Sequence, residues 1–431
     1  MRNKAAPGES EWPSAMAFWP APIDIAATAD WRARQLLPQC HHWRANRMRH
    51  VAGSLFSASL IAIGLLTASA ARAADSANQA NRYQVTKLTS DLKGVAPTTD
   101  PILQNSWGVA FTPAASPFWI ADNATGCSTL YDGQGMIVPL QVKIPLPGGV
   151  IPASACAHFD PKHPPQVTPA APTGMVWNPT TSPTTGFLVP GTKSPASFIW
   201  DTEDGTISAW TGGLTPPDQA VLAVNKSPGA VYKGLVFGVN AKGVFLFAAN
   251  FRAGTVDVFD HTYAEVATEG GFADPKIPAG FAPFGIQNIN GDLFVTYAKQ
   301  NAAKHDDVAG RGNGFVDVFD TDGNLLRRLA SRGSLNSPWG VARASFAFGR
   351  FSGAILVGNF GDGRINAFDP DGHFLGTLSN ARGKPIAIDG LWTLTLGGGK
   401  NSSSDTLYFT AGPHGETDGL FGTITPAAKH P

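Results

Sequence analysis

The stretch AKQNAAKHDDVAGRGN, residues 298–313, packs Lys304, His305, Asp306, Asp307 and Arg311 into one polar segment. An imidazole beside two carboxylates has the makings of a general base held in one tautomer, and Asp306 with Asp307 could instead hold a metal ion. A solvated polar loop is the plainer alternative.

A second set of oxygen-bearing side chains recurs at a fixed place. Asp201, Asn250, Asn359 and Asp418 each stand four residues before the glycine of a repeated phrase, and Asn123 stands three before Gly126. Brought to one axis, they could line a ligand site or offer Ca²⁺ several of the six to eight oxygens it takes. As turn formers they would instead bond their own backbone. Arg252, Arg364, His414, Glu416 and Asp389 are expected on the same face. His158 and His163 flank a carboxylate, but the prolines around them suggest an irregular loop. The turns DTDGN and DPDGH begin like Ca²⁺ loops, yet place glycine fourth and have no Glu at the twelfth position. The chain contains no G-x-S-x-G, H-E-x-x-H or P-loop, which removes elbow-type serine hydrolases, zincins and nucleotide enzymes from first consideration.

The elements that would position these residues are repeats. The phrase GTVDVFD at Gly254 alternates apolar and polar side chains with a strand's period of two, and it returns as GTISAW, GFVDVFD, GRINAFD, CSTLYD and GTITP. A glycine-led apolar phrase precedes each copy, at Gly108, Gly174, Gly234, Gly285, Gly340 and Gly390. Each unit has room for four short strands, so the expected fold is all-β: a six-bladed β-propeller of four-stranded antiparallel blades. Two packed β-sandwiches would not explain one phrase pair six times. The last copy stops at Pro426, and the β-prone YQVTKLTS, residues 83–90, is expected to complete the last blade and close the ring. The aromatics ending the third strands, Tyr131, Trp210, Phe259, Phe319 and Phe368, are read as packing between blades.

Residues 48–73 read as a signal peptide: basic residues, an apolar run from Val51 to Leu66, and Ala71-Arg72-Ala73 as a cleavage site. Residues 1–47 are expected to be a non-native or disordered upstream segment, and 74–431 a single propeller domain. That domain keeps 24 of the 32 basic and 28 of the 32 acidic side chains, a net charge near −4. Its weakly acidic surface argues against nucleic acid as a partner, and against a membrane once the signal is removed. Cys127 and Cys156 remain in it, and whether they form a disulfide depends on their separation in space.

The phrases LTSDLKGVAPTTDPILQNSWGVAF (88–111), KHDDVAGRGNGFVDVFD (304–320), LNSPWGVA (335–342) and LYFTAGPHGETDGLFGTITP (407–426) resemble those of a family of uncharacterised exported six-bladed propellers. The family is related to NHL-type propellers, and some members carry a C-terminal PEP-CTERM sorting tag. The resemblance implies export, to the periplasm or beyond the cell, and it supplies no catalytic residues. Two functional classes follow. One is a monomeric, non-catalytic binding module whose top-face site takes a small molecule, glycan or protein. The alternative is a metal-dependent, lactonase-like hydrolase with a central cation. The first is favoured, because the ring holds more Asn than Asp.

Overall fold

The computed structural model describes residues 80–113 and 116–427; residues 1–47 and 48–73, expected to be an upstream segment and a signal peptide, lie outside the described residues. The chain opens with β1 (Tyr83–Ser90) and β2 (Thr98–Thr99). Blade one is β3 (Ser106–Ala110), β4 (Phe118–Asp122), β5 (Cys127–Tyr131) and β6 (Val142–Lys143). Blade two is β7 (Pro172–Trp177), β8 (Phe198–Thr202), β9 (Thr206–Trp210) and β10 (Val221–Asn225). Blade three is β11 (Tyr232–Asn240), β12 (Gly243–Asn250) and β13 (Thr255–Phe259), its fourth strand reduced to a single bridge between Phe259 and Glu265. Blade four is β14 (Phe281–Ile289), β15 (Asp292–Lys299), β16 (Phe315–Phe319) and β17 (Leu325–Ser331). Blade five is β18 (Pro338–Arg343), β19 (Ile355–Asn359), β20 (Ile365–Phe368) and β21 (Phe374–Thr377). Blade six is β22 (Leu391–Leu396), β23 (Leu407–Ala411) and β24 (Leu420–Pro426), completed by β1. The fold is therefore an all-β six-bladed propeller.

Closure follows the expected pairing. β1 runs antiparallel to β24, with Tyr83 opposite Pro426 and Ser90 opposite Leu420, and β2 adds a short parallel edge. Tyr83 keys the closing strand into blade five as well: it is buried, stacks on Phe348 at 4.9 Å and donates its hydroxyl to the Phe348 carbonyl at 3.0 Å.

The alternation in the third strands sorts side chains between neighbouring blades. Val256 and Val258 pack toward blade four, whereas Phe259 packs into the core shared with blade two. Tyr131, Trp210, Phe319 and Phe368 lie in equivalent inter-blade cores, all of them buried.

Innermost strands β3, β7, β11, β14, β18 and β22 contact one another around the axis. Their glycines allow this approach. A Cβ on Gly108 would stand 2.5 Å from the Thr173 carbonyl, and one on Gly340 would stand 2.4 Å from the Trp392 carbonyl. The resulting axial channel holds about 40 Å³, room for a few waters. In blade six the channel-lining residue is Thr393; the expected Gly390 lies in a turn against Gly412, with φ 63°.

Cys127 and Cys156 form a disulfide with a Cα separation of 4.9 Å. It pins the long connection between β6 and β7 to the start of β5, and Phe159 of that connection bonds both ends of the Gln104 amide.

Candidate axial site

The residue preceding each axial glycine, or Thr393 in blade six, points the way to the site: Trp107, Thr173, Lys233, Phe284, Trp339 and Trp392. Four of the six are aromatic, and they meet in one layer across the top of the channel. Trp107 stacks on Trp392 at 3.4 Å and meets Trp339 edge-on at 6.0 Å, while Phe360 stacks on the other side of Trp392 at 4.0 Å. Phe251 and Phe284 extend the layer. The channel mouth is thus floored by rings.

Lys233 is the one charged member of that ring of positions, and it is 2% exposed. Its ammonium lies 5.1 Å from the centre of the Trp107 ring and 5.9 Å from that of Phe251, a cation–π arrangement. It donates to Glu203 Oε1 and stands 3.8 Å from Asp306. From Glu203 the network continues around the axis. Asn123 Nδ2 donates to Glu203 Oε2 at 2.9 Å, and Asn105 Nδ2 donates to Asn123 Oδ1 at 3.1 Å and to Glu416 Oε2 at 2.8 Å. Asn105 Oδ1 in turn accepts from Trp392 Nε1 at 3.0 Å, and Trp339 Nε1 donates to the Lys233 carbonyl at 2.7 Å. Every blade contributes a group. Asn105 and Glu416 both adopt left-handed backbone, φ 47° and 69°, a conformation that costs a non-glycine residue about 1–3 kcal/mol. The turns are bent where they carry these side chains inward.

Burial sets the protonation of the network. Glu416 is pushed up to about 7, first by burial and then by the charge of Glu203. Asp307 is also raised, chiefly by burial. His305 is raised because Asp306 accepts its Nδ1 hydrogen bond at 2.7 Å, and the same contact lowers Asp306. The site therefore combines a buried cation, an imidazole–carboxylate pair and two carboxyls driven toward their neutral forms.

Among the sequence candidates, Asn123, His305, Asp306, Asp307 and Glu416 belong to this network. Arg252 is the residue after Phe251, with its carbonyl facing Gln300, and the insertion covers the network: Gln300 bonds the Phe251 carbonyl, and Gly310 N donates to Asn336 Oδ1 at 2.6 Å. Lys304 and Arg311 are exposed on that insertion.

Asp201, Asn250 and Asn359 require correction, because they do not open onto a mouth. Asp201 is fully buried, accepts from Thr173 Oγ1 at 2.9 Å and Gly174 N at 2.6 Å, and so ties β8 to β7; burial pushes it up to about 7. Asn250 accepts from Val231 N and Ala253 N and donates to Asp257 at 2.9 Å. Asn359 donates to the Ser334 carbonyl at 2.9 Å and to Asp362 at 3.0 Å. These are turn and strand anchors. Asp418 and Asp389 sit at the rim, where both bind exposed His414, Asp418 through its ring and Asp389 through its backbone N–H. Arg364 stands 3.9 Å from Asp362.

Glu203, Lys233, Asn105 and the tryptophans were missed from sequence. Glu203 lies two residues beyond Asp201, as Arg252 lies two beyond Asn250, so a frame shifted by two would have found it. The tryptophans carried a visible signal, since SWG, PWG and LWT place the same residue at the same point of three repeats.

The fit to a central cation is poor. Glu203, His305 and Asp306 bring ligand atoms within 4.8 Å of one another, but the Lys233 ammonium already holds Glu203 and approaches Asp306. A hard cation would have to displace that charge and would find a nitrogen among few oxygens. The other cluster, Asp369, Asp371 and His373, belongs to a turn on the opposite face. Clefts roomier than the axial channel lie off the axis, including one of about 440 Å³ between turns of adjacent blades near Lys242, Asp260 and Asp322.

No model of a known protein family matches the chain. An uncharacterised protein of Acanthamoeba polyphaga mimivirus is 31% identical over 352 residues, covering 79% of this chain and 80% of the viral one. A second uncharacterised protein of the same virus is 31% identical over 356 residues, covering 79% and 85%. Similar solved structures include a streptogramin B lyase, with TM-score 0.42, 11% identity and coverage of 80% of this chain and 98% of that one. A gluconolactonase from Xanthomonas campestris is similar at TM-score 0.42 and 14% identity, covering 75% and 86%. At these values the structural likenesses bear on neither substrate nor activity.

Proposed function

The chain belongs to the same family as these mimivirus proteins, and from that premise we propose that it is a propeller that binds a small molecule at the axial end of its top face. The observation carrying this reading is the buried Lys233–Glu203 pair. Burying two charges is expensive, and an apolar pair of similar volume usually stabilises a core at least as well. An axis already floored by tryptophans has no packing need for it. The insertion 298–313 acts as the cover, since Lys233 is closed from solvent beneath Asp306 and ligand access requires that segment to move. A hydrolase organised on a central cation is the weaker reading, because Lys233 stands where that cation would act.

Export through residues 48–73 with cleavage after Ala73 is part of the same proposal. A disulfide in the propeller supports it, since such bonds persist mainly in oxidising compartments.

The test is a thermal-shift screen of small molecules on the parent and on the Lys233→Met/Glu203→Gln double variant. A true ligand raises the parent's melting temperature with concentration. It should do nothing to the double variant, whose own melting temperature should come close to the parent's. Hits that stabilise both proteins equally would place binding elsewhere and sink this reading.

A further inference from the structure

Resting on that reading, we propose that the axial ligand is a small organic carboxylate. The chemistry left unmet around Lys233 is mostly that of donors. Trp107 Nε1 and Arg252 Nε are buried, and neither finds an acceptor among the described residues. Trp107 is 1% exposed and lies directly beneath the Lys233 ammonium, while Arg252 follows Phe251, the second ring that this ammonium touches. A buried N–H without an acceptor is costly, and a core under no other demand satisfies it.

The carboxylates already present do not answer these donors. Glu203 is held by Lys233 and Asn123, and Asp306 by His305 and Asn301. An incoming carboxylate brings two oxygens with lone pairs on both sides, enough to accept from an indole, a guanidinium and an ammonium together. The aromatic layer seals the axis below, so the ligand must lie on that layer, which favours a flat body.

A matched series of one ring and three head groups tests the charge class: benzoate, benzamide and benzylamine, titrated into the ¹⁵N-labelled full chain. The readout is the Trp107 indole N–H resonance, assigned by its disappearance in Trp107→Phe. Benzoate should move that resonance, and Arg252→Gln should weaken its binding about tenfold or more while leaving the rest of the spectrum in place. Should benzylamine or benzamide move the resonance and benzoate not, the carboxylate assignment is overturned while axial binding stands. Should benzoate, acetate and pyruvate all leave it unmoved at millimolar concentration, the assignment is also overturned, and axial binding rests on the thermal-shift screen alone.

Discussion

The two faces of the propeller use the same residue types to opposite ends. On the bottom face Asp132, Asp260, Asp320 and Asp369 each open a hairpin and accept backbone N–H groups of their own turn. Asp320 Oδ1, for example, takes those of Asp322 and Asn324 at 2.9 and 2.8 Å. On the top face each blade sends a different group, and these meet near the axis. Local turn chemistry repeats because it answers only to its neighbours in sequence. Convergence answers to register and to the other five blades.

The largest effect expected falls on the closure that both faces depend on. Deleting residues through Ser90 removes the strand paired with β24 and exposes a sheet edge, so cooperative unfolding should be lost and the protein should aggregate. Tyr83→Ala alone should cost roughly 3–5 kcal/mol in denaturant unfolding, as aromatic truncations in cores do. A truncated chain as stable as the parent and no more prone to aggregate would mean that the ring is held shut in some other way.

Next in size is the separation of charge from packing at the axis. Lys233→Met strands Glu203 and should cost about 3–5 kcal/mol, whereas adding Glu203→Gln should restore most of the loss. If the two substitutions are simply additive, the pair is not coupled as its geometry indicates.

What was legible in the sequence divides along the same line. The strands, the closure by residues 83–90 and the inter-blade aromatics could all be read, since period-two alternation and turn residues are local signals. The Asn and Asp series was visible too, but Asp201 and Glu203 are separated by only two positions and have opposite fates. Asp201 lies within β8 and Glu203 in the turn just beyond it, so the point where the strand ends and the neighbouring blade decide which of them turns inward, and neither is written in a single repeat. Asn105 and Lys233 stood out by no local rule; only the six-fold superposition marks them.

A smaller and pH-dependent effect distinguishes the network from a static core. Burial raises Glu416 to about 7 from an ordinary value of 4.5, so the folded protein binds its proton more tightly than the unfolded chain does. Its contribution is then fully present below about pH 4.5 and is lost as pH rises through about 7, on the order of 1 kcal/mol per pH unit inside that window. Buried Asp201 and Asp317 titrate in the same range, so the measurement is the difference between the parent and Glu416→Gln in unfolding free energy at pH 5 and pH 8. The variant should lose less stability on going to pH 8. Equal losses would mean that Asn105 holds Glu416 ionised throughout.

The smallest effect belongs to the bottom face and sharpens the contrast by its modesty. Asp369 Oδ1 accepts from Asp371 N at 3.0 Å and His373 N at 2.8 Å, and its other oxygen meets the His373 ring at 2.9 Å, so the whole cluster is spent within one turn. Burial works against the carboxylate, but the bonds from His373 and Asp371 together outweigh it and hold the group below its usual range. Asp369→Ala should therefore cost about 1 kcal/mol, the net worth of a few solvent-accessible hydrogen bonds, and should leave every ligand response at the axis unchanged. Because Asp369, Asp371 and His373 also have the spacing of a metal cluster, the same variant should be compared with the parent in a Ca²⁺ titration followed by melting temperature. A carboxylate already committed to its own backbone gives no stabilisation in either protein. A concentration-dependent rise in the parent alone would turn this turn into a second site and end the division of labour between the faces.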